Sequence, residues 1–315
     1  MYNIPYFKPP EIKYPELESK FKEITTSGIY TKGQHRSELE SQLKEYLGVE
    51  HVITTSSGTA ALITALSVLR YTINCDVIYI PAFNWPSDII AAKMAGLKPV
   101  CQDINRETWH SNVNQYTQYA TLLLDTFGSV DLQDYSFPYI VDATHSLGAP
   151  NSKKHGIGSR GYAECFSMAA TKPVTAGEGG FITTDDPEFA SQCRDIADMC
   201  FRLPELSCVL AMAYIEHIDD LIAEKHKIAE YYKKHLPYKF QEITHCTTYS
   251  KIAFMTDTPE ESEQIIAHAA DAGVECRVYY KPLISMKNTD FVYERIVCLP
   301  SWIGVDVEKV VNALN

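Results

Sequence analysis

The stretch ECFSMAATKPVTAGEGGFITTDD, residues 164–186, holds two short apolar runs, ECFSM (164–168) and GFITT (180–184), with Ser167, Lys172 and a GEGG turn between them. Both runs have the length and composition of buried strands. Glycines 177, 179 and 180 allow a tight passage into the second run. A lone loop lysine is ordinarily solvated. Lys172, however, lies between two core strands and is followed by Pro173, which restrains the backbone. Burial and cationic neighbours lower the pKa of an amine, and the free amine is the form that attacks an aldehyde, so Lys172 is a candidate reactive amine.

Outward from this stretch, HVITT (51–55), DVIYI (76–80), KPVCQD (98–103), TLLLD (121–125) and YIVD (139–142) alternate with helical or turn segments. That alternation predicts an α/β fold with a parallel sheet wrapped by helices. Ligands in such sheets collect at the carboxyl ends of strands, where Asp142 and Ser167 stand. In TTSSGTAALITAL (54–66) a strand runs through Ser57, Gly58 and Thr59 into a helix. Gly58 permits the turn, the first helical amides suit a phosphate, and Thr59 adds a hydroxyl; the same residues equally describe a plain N-cap. In YIVDATHSLGA (139–149) the strand delivers Asp142 and then His145. A carboxylate there suits a protonated pyridine nitrogen, with His145 orienting the ring or the carboxylate, although an N-cap aspartate beside a core histidine gives the same pattern.

Before the core, SELESQLKEYL (37–47) reads as an amphipathic helix closed by Gly48. After it, residues 205–236 read as one long helix ending at Pro237. Residues 238–315 mix strand-like KIAFMT (251–256) and ECRVYY (275–280) with helices at 259–272 and 306–314, a small α+β unit. The expected division is an N-terminal segment and large domain over 1–205, a connecting helix over 206–237 and a small domain over 238–315.

The 315 residues, 45% of them apolar, suffice for one large and one small domain. Forty acidic against 28 basic side chains give a net charge of −12, which argues against nucleic acid and anionic membranes as partners. The nine cysteines are odd in number and form no C-x-x-C pair, the pattern of reduced thiols without a zinc site. No signal-peptide core or membrane span is legible, and a cytoplasmic protein without a metal is expected. Neither G-x-G-x-x-G nor a P-loop occurs, which argues against an unrelated nucleotide-binding α/β protein.

In their order along the chain, TSGIYTKG (26–33), SSGTAAL (56–62), IPAFNWPSDIIAAKMAGLKPVCQDI (80–104), VDATHSLGA (141–149), FSMAATK (166–172), GEGG (177–180), FRLPELS (201–207), RVYYKPL (277–283) and VCLPSW (297–302) resemble the DegT/DnrJ-type (StrS) sugar aminotransferases. These belong to the pyridoxal 5′-phosphate (PLP) enzymes of fold type I, the aspartate aminotransferase superfamily. The resemblance covers nearly the whole chain. It implies a three-layer large domain with a mostly parallel central sheet and a smaller C-terminal α+β domain. It further implies a Schiff base at Lys172, pyridine-nitrogen pairing at Asp142 and a ring-side contact from His145. Ser57, Gly58, Thr59 and Ser167 would hold the phosphate, and Trp85 would stack on the ring. Arg202, Arg277 and Tyr279 are substrate candidates, Arg202 and the Gly28–Gly33 loop by reaching a partner subunit. The implied reaction moves an amino group from glutamate to a nucleotide-linked keto-sugar in a homodimer with shared sites. Sugar dehydratases of the same family carry histidine in place of the lysine, so Lys172 argues against that chemistry, and the retained lysine, aspartate, serine and aromatic argue against a non-catalytic homologue. Two departures stand out: Cys200 occupies the place where relatives carry a partner-reaching asparagine, and the segment SVDLQDYSFPYI (129–140) is short for the usual crossover helix.

Overall fold

The computed structural model describes residues 2–113, 119–133, 135–150, 152–153 and 156–314. Its strands are β1 (His51–Thr55), β2 (Val77–Pro81), β3 (Lys98–Gln102), β4 (Ala120–Leu124), β5 (Ser129–Val130), β6 (Tyr139–Asp142), β7 (Ala163–Ser167), β8 (Gly180–Thr184), β9 (Lys239–Phe240), β10 (Cys246–Thr247), β11 (Ile252–Met255) and β12 (Ile296–Leu299). The helices are α1 (Leu17–Ser27), α2 (Gln34–Leu47), α3 (Gly58–Ile73), α4 (Ser87–Met94), α5 (Pro187–Cys200), α6 (Glu205–Ile215), α7 (Ile218–His235), α8 (Pro259–Asp271), α9 (Lys287–Tyr293) and α10 (Val307–Asn312).

Seven strands form one sheet in the order β1-β8-β7-β6-β4-β2-β3, parallel except for β8, which runs antiparallel to both of its neighbours. Strands β4, β6, β7 and β8 are buried along their whole length, so their residues are mostly apolar on both faces, as an internal sheet requires. One core, built on Leu39, Leu43, Phe166, Phe181 and Val209, covers one face; the other, with Leu62, Leu66, Ile80, Leu122 and Ile182, packs α3, α4 and α5 against the opposite face. This is the three-layer α/β arrangement the sequence predicts. Helix α2 ends as expected, with Gly48 at φ 73° and its amide on the Lys44 carbonyl at 2.8 Å.

A second sheet, β12-β11-β9, is antiparallel and packs on α7, α8 and α10 through Phe254, Tyr232, Val297 and Val310. The first residues of the chain join this unit: the amides of Asn3 and Ile4 donate to the Gly273 carbonyl, and the Tyr6 amide to Glu275. No helix among the described residues is long and apolar enough to cross a membrane. All nine cysteines are free thiols.

Two elements differ from the sequence expectation. The stretch 205–236 is two helices, interrupted at Glu216 and His217. Helix α6 is buried on nearly every side in the large-sheet core, whereas α7 buries one face that runs from Ile218 and Ile222 in that core to Ile228, Ala229 and Tyr232 in the small one. One straight helix does not serve both. ECRVYY (275–280) supplies a single bridge, Arg277 to Cys298, and no ladder, because beyond Arg277 the chain leaves the sheet and sends Tyr280 into a cluster with Phe83 and Phe127. Between β4 and β6 the described residues form a 3₁₀ turn (Thr126–Gly128) and β5, with no helix among them, in keeping with the short 129–140 segment.

Candidate active site

A cavity of about 460 Å³ opens at the carboxyl ends of β1, β6 and β7, with the small unit as its opposite wall. Helix α3 starts there. The Ser57 hydroxyl caps it by accepting the Ala60 amide at 3.0 Å, and the remaining first-turn amides have no intrahelical acceptor. A Cβ on Gly58 would lie 2.8 Å from the Ser167 Cβ, so only glycine lets the helix start press against the end of β7. Gly180 is equally required, since its Cβ would meet the Ser57 carbonyl carbon at 2.5 Å. The result is a cup of amides and the hydroxyls of Thr59 and Ser167, a built receptor for a phosphate.

Asp142, 3% exposed, ends β6 and accepts the Thr144 amide at 2.9 Å. Asp88, fully buried on α4, hydrogen-bonds to it, and Asp88 also accepts from Asn84 Nδ2 at 2.7 Å and from the Ser87 hydroxyl at 3.0 Å. Two carboxylates in contact away from water hold a proton between them. Burial first, then Asp142, pushes the Asp88 carboxyl well above the ordinary range, so the proton resides on Asp88; burial raises Asp142 as well, against the pull of Thr144 and Lys172. A ligand bearing a positive ring nitrogen at Asp142 would relieve this pair.

Lys172 Nζ lies 3.0 Å from His145 Nε2, which also receives the Tyr280 hydroxyl at 2.9 Å; His145 Nδ1 meets the Ser250 hydroxyl at 2.7 Å. The Tyr280 hydroxyl finds its acceptor at Nε2, which puts the ring proton on Nδ1, directed at Ser250. Burial, then Lys172 and Lys251, holds His145 well below its usual pKa, so the ring is neutral. Burial and Lys251 lower Lys172 to about 7, against Asp142 and Asp88. The lysine thus has the free-amine fraction that attack on an aldehyde needs. Behind Asp142 and His145, Arg160 bridges Asp125 (2.7 Å) and Glu164 (2.6 Å), and Asp125 accepts from Ser146 at 2.5 Å, fixing the turn that carries both site residues.

The structure brings Ser57, Gly58, Thr59, Trp85, Asp142, His145, Ser167, Lys172, Arg277 and Tyr279 to the cavity wall. Trp85 is 56% exposed at the cavity wall and meets Tyr280 in a T-shaped pair, 6.5 Å between ring centroids. Arg202 does not line the cavity; its Nε donates to the Asp198 carbonyl at 2.6 Å on the outside of α5, and Cys200, the last residue of that helix, is exposed. Sequence reasoning passed over Asp88, Asn84, Ser250, Lys225 and Lys251, and in RVYYKPL it weighed Tyr280 evenly between substrate binding and packing. Asn84 and Asp88 had a signal in their spacing of four within FNWPSD. The lysines had none.

The residues present fit PLP: a phosphate cup, a buried carboxylate for the ring nitrogen, an aromatic face and a depressed lysine share one cavity. The profile of the DegT/DnrJ/EryC1/StrS aminotransferase family matches residues 12–121 and 131–315. The chain belongs to this family. It is a PLP-dependent aminotransferase by that membership. GDP-perosamine synthase of Escherichia coli O157:H7 is 26% identical over 94% of each chain. UDP-4-amino-4-deoxy-L-arabinose–oxoglutarate aminotransferase of Shewanella sediminis is 25% identical over 93% of each. Among solved structures, PseC of Helicobacter pylori, an aminotransferase of pseudoaminic acid biosynthesis, superposes with a TM-score of 0.86 at 21% identity, covering 98% of this chain and 96% of its own. This family member therefore shares the PLP fold type I architecture.

Proposed function

We propose that this aminotransferase transfers an amino group from glutamate to a keto-sugar linked to a nucleotide, in amino-sugar biosynthesis, as a cytoplasmic homodimer with shared sites. The observation that carries the reading is Lys172 held at His145 Nε2 beside Asp142, at the mouth of the α3 phosphate cup. The names of the relatives, both nucleotide-sugar enzymes, support the substrate class.

The bound cofactor supplies the electron sink that stabilises negative charge at the carbon bearing the amino group. Lys172 anchors it and, once displaced by the amino donor, takes and returns the substrate proton at Nζ. Its lowered pKa makes both directions accessible near neutral pH. Asp142, buried where such a pairing is strong, would hold a positive ring nitrogen. Neutral His145, locked by Ser250 and Tyr280, orients the lysine amine. Ser57, Gly58, Thr59 and Ser167 would hold the phosphate, and Trp85 would offer the ring an aromatic face that fixes its orientation. Arg277 and Tyr279 border the substrate space, and Arg202 with the Gly28–Gly33 loop reaches the partner's site in the dimer.

The test is spectroscopic. Protein loaded with PLP should show a visible absorption band that glutamate bleaches and a matching nucleotide-linked keto-sugar restores. Failure to form the band removes the cofactor assignment at Lys172. A band that glutamate leaves untouched removes the proposed donor.

A further inference from the structure

The small unit gives the cavity a wall of different charge. Lys251 Nζ sits 4.4 Å from the Tyr279 ring and 5.7 Å from that of Tyr6; Lys225 Nζ donates to the Ser301 hydroxyl at 3.1 Å; Lys8 lies over the Trp302 ring at 5.4 Å. All three line the cavity, and among the described residues none has a carboxylate within ion-pair distance. The acids lining the cavity, Asp142 and Glu178, belong to the large-sheet wall, and Arg277 is already taken by Glu275 at 2.7 Å.

Lys8 is exposed at the rim, whereas Lys225 and Lys251 are half-buried on the wall; half-buried cations without carboxylate partners cost stability, and more so in pairs. Lys225 and Lys251 repel each other, and both amines are depressed, Lys225 to about 7, chiefly by burial. In a chain of net charge −12, no shortage of acidic side chains explains this. A polyanionic ligand matches the missing charge. Three flexible point charges suit the spread oxygens of a phosphate chain, whereas a single carboxylate is best met by an arginine fork, and the fork present is occupied.

We propose that Lys8, Lys225 and Lys251 form an oxyanion subsite for a diphosphate, with Ser301 and the Trp302 face as its neutral border. The proposal rests on the nucleotide-sugar reading only for the identity of the diphosphate's carrier.

The experiment titrates PLP-loaded protein, whose phosphate cup is filled, with inorganic pyrophosphate by calorimetry, and with glutarate in parallel as a carboxylate probe. Lys225→Met should weaken pyrophosphate binding about tenfold, and Lys225→Met with Lys251→Met further, as expected for loss of charge-assisted hydrogen bonds. Glutarate affinity should not follow. Binding should weaken with added salt. Because the lysine lacks an internal carboxylate partner and holds only the Ser301 hydroxyl, Lys225→Met should leave the Tm equal or raised. Unchanged pyrophosphate affinity in the double variant overturns the subsite. Parallel loss of glutarate binding assigns the lysines to the amino donor and overturns the diphosphate, and a lowered Tm in Lys225→Met makes the lysine structural and does the same. Pyrophosphate undergoes no amination, so this outcome is independent of whether glutamate bleaches the visible band.

Discussion

On the large-sheet wall of the cavity, Lys172 faces Asp142 and, behind it, Asp88, whereas on the small-unit wall Lys225 and Lys251 face hydroxyls, aromatic rings and each other's charge, with no carboxylate in ion-pair reach among the described residues. Both sets of amines are depressed by burial, but only the first has carboxylates to pull it back. A compensated lysine can cycle between charged and neutral forms at one place, as an acid–base group must. Uncompensated lysines wait for charge from outside. The difference separates the chemistry of the site from its recognition of substrate, and three substitutions bear on it.

The largest effect belongs to Lys172. Lys172→Ala should lower turnover by at least about a thousandfold, the scale of removing a nucleophile that is also the proton carrier. Borohydride treatment of PLP-loaded wild type should fix the cofactor's mass to the peptide containing residue 172, and the variant should gain none. A full mass gain in Lys172→Ala would transfer the anchor to another amine, with Lys251 and Lys225 the first to examine, and would erase the distinction between the walls.

Asp88 tests the compensation itself. Its folded pKa is raised above the unfolded value, so the folded protein binds the proton more tightly, and stability is lost as pH rises from the ordinary carboxylate range toward the folded pKa. Asp88→Asn copies the protonated acid, keeps a hydrogen bond for Asp142 and does not titrate. In protein free of PLP, its Tm should therefore exceed that of wild type by a margin that grows as pH rises through that window, measured by calorimetry. A margin independent of pH would mean that Asp88 carries no shared proton.

How much of this was legible in the sequence divides along the same line. Ser57 to Thr59, Asp142 and Ser167 sit at or just past strand ends and Lys172 in the loop between β7 and β8, so short contiguous motifs around apolar runs locate them. The opposite wall is assembled from residues 6–10, the middle of α7, residues 250–251, 277–280 and 301–303, five segments that meet only through the packing of the small unit. No local pattern marks Lys225 as other than one lysine on an amphipathic helix. The same limit explains Arg202 and ECRVYY. The first is a candidate for a partner's site and lies outside this chain's own cavity, beside Asp198, and the second has strand composition but is diverted by the aromatic pocket that receives Tyr280.

The smallest effect joins the two walls. After burial, Lys251 is the largest influence holding Lys172 down at about 7. Lysine attacks an aldehyde as the free amine, so the rate at which protein stripped of PLP recaptures it should rise with pH and level off above a midpoint near that value. Replacing Lys251 with methionine removes a positive neighbour while keeping an apolar stem against Tyr279, which leaves burial as the main cause of the depression. The midpoint should move upward, toward the ordinary lysine range, with the plateau rate little changed. Stopped-flow absorbance across pH reads both. An unmoved midpoint would mean that the charge of the recognition wall does not reach the reacting amine, and that the two walls act independently.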